Sequence, residues 1–415
     1  MNRLMLCVSQ FFPPIPTAAA YQTERVLSSL RPYGFDAVIY CGRAGAGTVE
    51  RPPQKDGGCE VHATPSLWRF RLFRALVRHA PLLAFDIFGV SPMSFPFWNL
   101  PLCFRSLFFE RRRFDLLFTL STPVADHLTG LFLKQRLKLP WAAYFSDPWT
   151  RNPLTPVSAR RHLPLHEAVK KKVFTKADLL IFTTEETRAA ELDGFPADCE
   201  RKSRVIPHAF CPQIDAAVPL APLALAGKVL FRYVGNFGEG RTPEALFRGI
   251  ALAKRQGVPG EPAFQFEFFG SPYRGMQELK AKYGLGAEVI EAGRVPFLES
   301  LGCMKGADVL VHVDVPGTDL FLASKLVDYV AARKPILGIM SGKGTASSLV
   351  RAANGFIASP DSPQEIADRI LEIVGLKQSG GLAQRIASDG LRDGYSLHSI
   401  GRRYAEAFDT LLARR

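Results

Sequence analysis

Short apolar runs alternate with stretches of helical period along almost the whole chain, an order that predicts a parallel α/β architecture. In the first half, strands are expected at 3–9 (RLMLCVS), 36–41, 115–120 (DLLFTL), 141–146 (WAAYFS), 178–183 (DLLIFT) and 203–207. Helices fit between them at about 19–32, 98–112, 123–137, 165–176 and 185–193. A proline- and alanine-rich stretch, PQIDAAVPLAPLALAG at 212–227, breaks the pattern and reads as a linker. The pattern then restarts, with strands at 228–234, 264–269, 287–291, 308–313, 335–340 and 355–357. Helices fit at 242–256, 274–284, 297–305, 324–333, 345–352, 363–375 and 380–389. A last amphipathic helix at 396–413 places Ile400, Tyr404, Phe408 and Leu411 at helical spacing.

Length and composition refine this picture. A chain of 415 residues divides naturally into two domains, here 1–212 and 213–395. Apolar content of 47% with 22% charged residues is globular and supplies two cores. No apolar run reaches the roughly 18–20 residues that span a bilayer. The opening MNRLMLCVSQFFPP reads as a first buried strand and lacks the pattern of a secretory leader, so a cytoplasmic protein is expected. Seven scattered cysteines with no CxxC imply neither a zinc site nor a disulfide framework.

The net charge of +13 suits nucleic acid, anionic lipid or phosphorylated substrates. No helix-turn-helix, RNA-recognition or zinc-finger signature is present, so no nucleic-acid partner is expected. The stretch 66–113 interleaves Trp68, Phe70, Leu72, Phe73, Leu76 and Val77 with Arg69, Arg71, Arg74 and Arg78. It fits either a peripheral segment in the headgroups of an anionic membrane surface or a pair of core helices with solvated arginine faces.

The richest chemistry lies at 319–339, DLFLASKLVDYVAARKPILGI. Ser324 is a suitable N-cap for a helix whose first turn carries Lys325 and Asp328 on one face. A helix N-terminus with a lysine beside it suits a phosphate, and Asp328 can accept hydrogen bonds from a sugar hydroxyl pair. Upstream, the strand 228–234 runs into GNFGEGRTPEAL. There Gly235 and Gly238 permit close backbone approach, Thr242 can cap the next helix, and Arg241 sits at its mouth. Gly270 ends another strand at a turn. In the first half, Asp147 follows a buried strand in WAAYFSDPW and can accept or orient the proton of a hydroxyl. It equally fits a loop cap. His127, after Ser121-Thr122-Pro123, fits an acceptor-site group or a core histidine.

SKLVDYVAARKPI resembles the donor-binding helix of family-4 glycosyltransferases of the GT-B fold, written SKL-x-E-Y-x-A-x-G-K-P-I/V. The 121–153 segment resembles the S-x-P…H…LPW-x-x-D-x-RDPW pattern of bacterial surface-polysaccharide members. The resemblance covers nearly the whole chain. It implies two doubly wound Rossmann-like domains facing across a cleft, with the last helix (about 396–415) returning to the first. It also implies a nucleotide-diphospho-sugar as co-substrate, with no other cofactor and no metal. Transfer would be retaining, to a lipid-linked or saccharide acceptor at the cytoplasmic membrane face. On this pattern Arg241 and Lys325 meet the diphosphate, Asp328 the ribose, and Arg294, Val295 and Pro296 the base. Gly235, Gly238, Gly270, Ser324 and Leu326 complete the donor site, while Asp147 and His127 serve the acceptor. Two departures stand out. The first acid of the family's E-x7-E pattern is Leu320, with Asp319 one residue earlier, and Arg333 replaces the glycine before Lys-Pro. A catalytically silent scaffold and a nucleotide-sugar epimerase or hydrolase are the alternatives.

Overall fold

The computed structural model describes residues 2–42, 59–64, 102, 114–121, 124–155, 160, 163–223, 227–238, 240–257 and 263–414. The basic, aromatic stretch at 66–113, and with it the helix expected at 98–112, lies outside these residues apart from Leu102, which is buried. The chain forms two compact units, Met1–His208 with Leu397–Arg415, and Ala209–Ser396.

The first unit holds β1 (Arg3–Val8), β2 (Phe35–Gly42), β3 (Cys59–Thr64), β4 (Leu116–Ser121), β5 (Trp141–Phe145), β6 (Leu179–Phe182) and β7 (Ser203–Val205). They form one parallel sheet in the order β3-β2-β1-β4-β5-β6-β7. Every residue of β4, β5 and β6 is buried, as expected for strands covered by helices on both faces. The helix Ala18–Leu30 begins where Thr17 accepts the Ala20 amide at 3.2 Å. The C-terminal helix Leu397–Leu412 packs against it, and a Cβ at Gly401 would lie 2.0 Å from the Ser29 carbonyl oxygen. Its Phe408 meets the rings of Phe35 and Phe118 edge-on. The half-polar β3 is an element that apolar patterning does not predict.

The second unit holds β8 (Val229–Val234), β9 (Phe264–Phe269), β10 (Val289–Gly293), β11 (Val309–Val313), β12 (Ile336–Ile339) and β13 (Phe356–Ala358). Its parallel order is β10-β9-β8-β11-β12-β13. In each sheet the order reverses at one place, between β1 and β4 and between β8 and β11. Doubly wound sheets bind ligands outside the carboxyl ends of such strand pairs. The fold class expected from the apolar runs is therefore the one observed.

The stretch at 212–227, expected as a linker, belongs over its described part to the second unit, strapped to its sheet. Arg232 on β8 stands opposite Glu267 on β9, both fully buried and 2.8 Å apart. Arg232 also donates to the carbonyls of Leu220 (2.8 Å) and Ala221 (2.7 Å), and Glu267 accepts the Leu223 amide (2.7 Å). Composition hides this because the strap is held by its backbone. The helix expected at 380–389 is instead a 3₁₀ turn, Gly381–Gln384, followed by a short helix, Asp389–Gly394.

Candidate functional site

At the switch point of the second unit, four side chains gather at the carboxyl ends of β8 and β11. Lys325, in the first turn of the helix Ser324–Ala331, points its Nζ at the Tyr233 ring, 3.7 Å from the centroid. That nitrogen is buried and has no hydrogen-bond partner among the described residues. Arg241 reaches Asp314 at 3.9 Å, while its Nε is buried without a partner. His312, on β11, is fully buried, with neither ring nitrogen hydrogen-bonded among the described residues. Asp314 follows that strand and takes the Val315 amide at 2.8 Å.

The electrostatics follow from this crowding. Burial, then repulsion from Arg241, holds the Lys325 ammonium well below the ordinary lysine value. Burial, reinforced by Lys325 and Arg241, keeps His312 neutral. Burial raises Asp314, against the Val315 amide and the two cations, which lower it. Two basic side chains thus face one carboxylate, with donors left over. That is the charge balance of an anion site.

Neighbouring residues build the cluster. Tyr329 fastens the helix to β8, its hydroxyl accepting the Val234 amide (3.0 Å) and donating to the Val234 carbonyl (3.2 Å). Gly235 has φ of +148°, and a Cβ there would stand 3.0 Å from Lys325 Nζ. Gly238 and Arg241 exchange two backbone hydrogen bonds of 3.0 Å, a tight turn that presents the guanidinium. Gly270 serves packing, since a Cβ would fall 2.1 Å from the Gly235 carbonyl oxygen. Asp319 accepts from the Ser341 hydroxyl, and its charge reaches Asp314.

Of the other expected residues, Ser324 and Thr242 do not cap their helices. Asp328 is 4% exposed, and its Oδ1 accepts the Cys211 amide at 2.7 Å. Ser324 is the first helical residue; Ala323 occupies the cap position and no side chain closes the turn. Thr242 likewise yields the cap position to Pro243. Leu326 is a core residue. Arg294 is exposed and Val295 half-buried, both following the edge strand β10. No hydrogen bond or ion pair joins them to Lys325 or Arg241 among the described residues.

In the first unit, Asp147 is exposed just beyond β5, with the Ser146 hydroxyl 3.1 Å from its carboxylate. Its turn is clamped from below. Glu191 accepts the amides of Trp149 (2.7 Å) and Arg151 (2.9 Å), and the buried Lys170 bonds Glu191 and Thr150. His127 belongs to the core. It is fully buried, holds Thr119 at 2.7 Å, lies 4.3 Å from the Phe145 ring, and is pushed down to about 3 by burial. Nearby, Tyr144 and His208 meet at 3.3 Å. Sequence reasoning missed His312, Asp314, Lys170 and Glu191. The one available signal was a histidine and an aspartate two apart at the end of an apolar run.

Fold and site together define a doubly wound α/β protein with a buried cationic cluster at a switch point. Residues 17–201 match the glycosyl transferase 4-like domain family. A sucrose-phosphate synthase from Thermosynechococcus elongatus superposes with a TM-score of 0.71 at 15% identity, covering 100% of both chains. Anabaena HepE in complex with UDP and glucose gives 0.68 at 17% identity, over 98% of this chain and 99% of its own. A glycosyltransferase from Rickettsia africae gives 0.68 at 14%, over 100% of each. No curated protein sequence matches significantly. The chain therefore shares the two-domain GT-B fold of these structures, and its residues 17–201 match the glycosyl transferase 4-like domain. Among the described residues no helix is long and apolar enough to cross a membrane, and no three His, Cys, Asp or Glu side chains group as metal ligands.

Proposed function

We propose that the protein is a glycosyltransferase that takes its sugar from a nucleotide-diphospho-sugar bound in the second unit. The observation that carries this reading is the buried Lys325 ammonium, without a hydrogen-bond partner among the described residues, with Arg241 beside the same carboxylate, at the switch point of β8 and β11. HepE, of the same fold, is described with UDP and glucose bound, which supports a similar donor here. As the bond from the anomeric carbon to the diphosphate breaks, negative charge grows on the departing phosphate. Lys325 and Arg241 would neutralise it, the part that a divalent ion plays in other transferases. Asp147 is the group assigned to the acceptor hydroxyl, whose proton it would accept or orient. The acceptor we favour is lipid-linked or a saccharide at the cytoplasmic membrane face, in surface polysaccharide synthesis, with the sugar's configuration retained.

Leu320, where the family pattern has its first acid, favours a second reading, a silent scaffold that binds a nucleotide sugar without turning it over. Product analysis separates them. With labelled nucleotide sugars and a membrane lipid extract, label should move to lipid or saccharide, and Asp147→Ala should keep nucleotide binding while losing transfer. Unchanged donor supports the scaffold, and free sugar or an epimer formed without acceptor overturns transfer.

A further inference from the structure

A pocket of about 410 Å³ opens at the amino ends of β11 and β12, the opposite end of the second sheet from Lys325 and Arg241. Its lining includes Asp308, Arg333, Lys334, Pro335, Lys377 and Leu382. Both oxygens of the carboxylate in it are engaged, since Asp308 binds Lys377 (2.7 Å) and accepts the Leu230 amide (3.0 Å). Arg333 pairs with Asp389. Lys334, half-buried, has no hydrogen bond or ion pair among the described residues. Burial holds its ammonium below the ordinary lysine value against the pull of Asp308, and Lys377, Arg232 and Lys305 lower it further.

The backbone supplies an independent observation. Arg333 ends the helix with φ of +53°, a conformation that favours glycine and disfavours any residue with a Cβ. The chain keeps an arginine there, and this turn places the guanidinium in the lining of the pocket. The volume suits a small molecule and exceeds that of a bare phosphate ion.

We propose that this pocket is a second anion site, which binds a small phosphate-bearing molecule through Lys334, Arg333 and Lys377. Its place at the far end of the sheet makes it separate from the cluster around Lys325, so both can be filled at once. The phosphate belongs to a free metabolite or to a lipid headgroup, chemistry that the three cations recognise alike.

The test uses the full chain carrying Lys325→Met, which removes the lysine of the first cluster, and titrates inorganic pyrophosphate by calorimetry at constant ionic strength. Lys334 is half-buried and bonds nothing among the described residues, so Lys334→Ala should melt no lower than its parent. One saturable site is expected in Lys325→Met, weakened at least tenfold when Lys334→Ala is added, and this assigns a free phosphate. In a second arm, full-length protein is sedimented with phosphatidylglycerol or phosphatidylcholine vesicles. Binding to phosphatidylglycerol alone that falls with Lys334→Ala, without saturable pyrophosphate binding, assigns the headgroup. Pyrophosphate and vesicle binding both indifferent to Lys334→Ala would overturn the proposal, whatever becomes of the donor reading.

Discussion

Lys325 is a buried ammonium beside a guanidinium, and that arrangement opposes folding unless an anion joins it. Because its value is depressed when folded, the unfolded chain binds the extra proton between that depressed value and about 10.4. Stability contributed by this group therefore rises with pH through that window, and the penalty is in full force below it. Lys325→Met should raise the melting temperature of the ligand-free protein and flatten this part of its pH dependence; a lower melting temperature would contradict the electrostatic account. The same residue shows what was legible. The SKL word and its helix located the lysine, because local spacing decides which residues share a turn. The fate of Asp328 was not legible, since its partner, the Cys211 amide, lies 117 positions away. His312 and Asp314 were hidden for a similar reason. A polar residue in a buried strand acquires meaning only from the strand beside it.

At the level of elements, two junctions carry the site residues. The turn after β5 presents Asp147 and hangs on Glu191, which is 1% exposed and faces the equally buried Lys170. Glu191→Ala removes the buried partner of that lysine, leaving it the half-exposed Glu167 at 3.0 Å, and frees two backbone amides. It should cost about 3–5 kcal/mol, read as the shift in the urea midpoint. A loss under 1 kcal/mol would show that the clamp is dispensable. The end of the helix Ser324–Ala331 is the second junction. Arg333→Gly relieves the left-handed backbone and gives up an exposed ion pair with Asp389 that contributes little. A gain of about 1 kcal/mol is expected in the same measurement. The glycine of the family pattern made this strain readable in advance, whereas the strap at 212–223 was not. Its anchor is an arginine and a glutamate in different strands, brought opposite each other by sheet register.

For the whole molecule, the repeated use of one plan explains why the fold was readable. Two parallel sheets built from continuous apolar runs leave few alternatives, and each brings one strand reversal to which function can attach. The exception, β3, is a half-polar strand that only its pairing with β2 reveals. The net charge of +13 has part of its origin in the arginine-rich stretch at 66–113, and its counterpart inside the second unit is the Lys325–Arg241 cluster. The central claim is that this cluster holds the diphosphate of a sugar donor. A thermal-shift panel of UDP, GDP, ADP, dTDP and their sugars, on wild type beside Lys325→Met, tests it most directly. A ligand at 100 times its dissociation constant adds about 2.7 kcal/mol, a rise of a few degrees in melting temperature. The account predicts that one nucleotide family shifts wild type and leaves Lys325→Met unmoved. Equal shifts in both proteins, or none from any nucleotide, would contradict it.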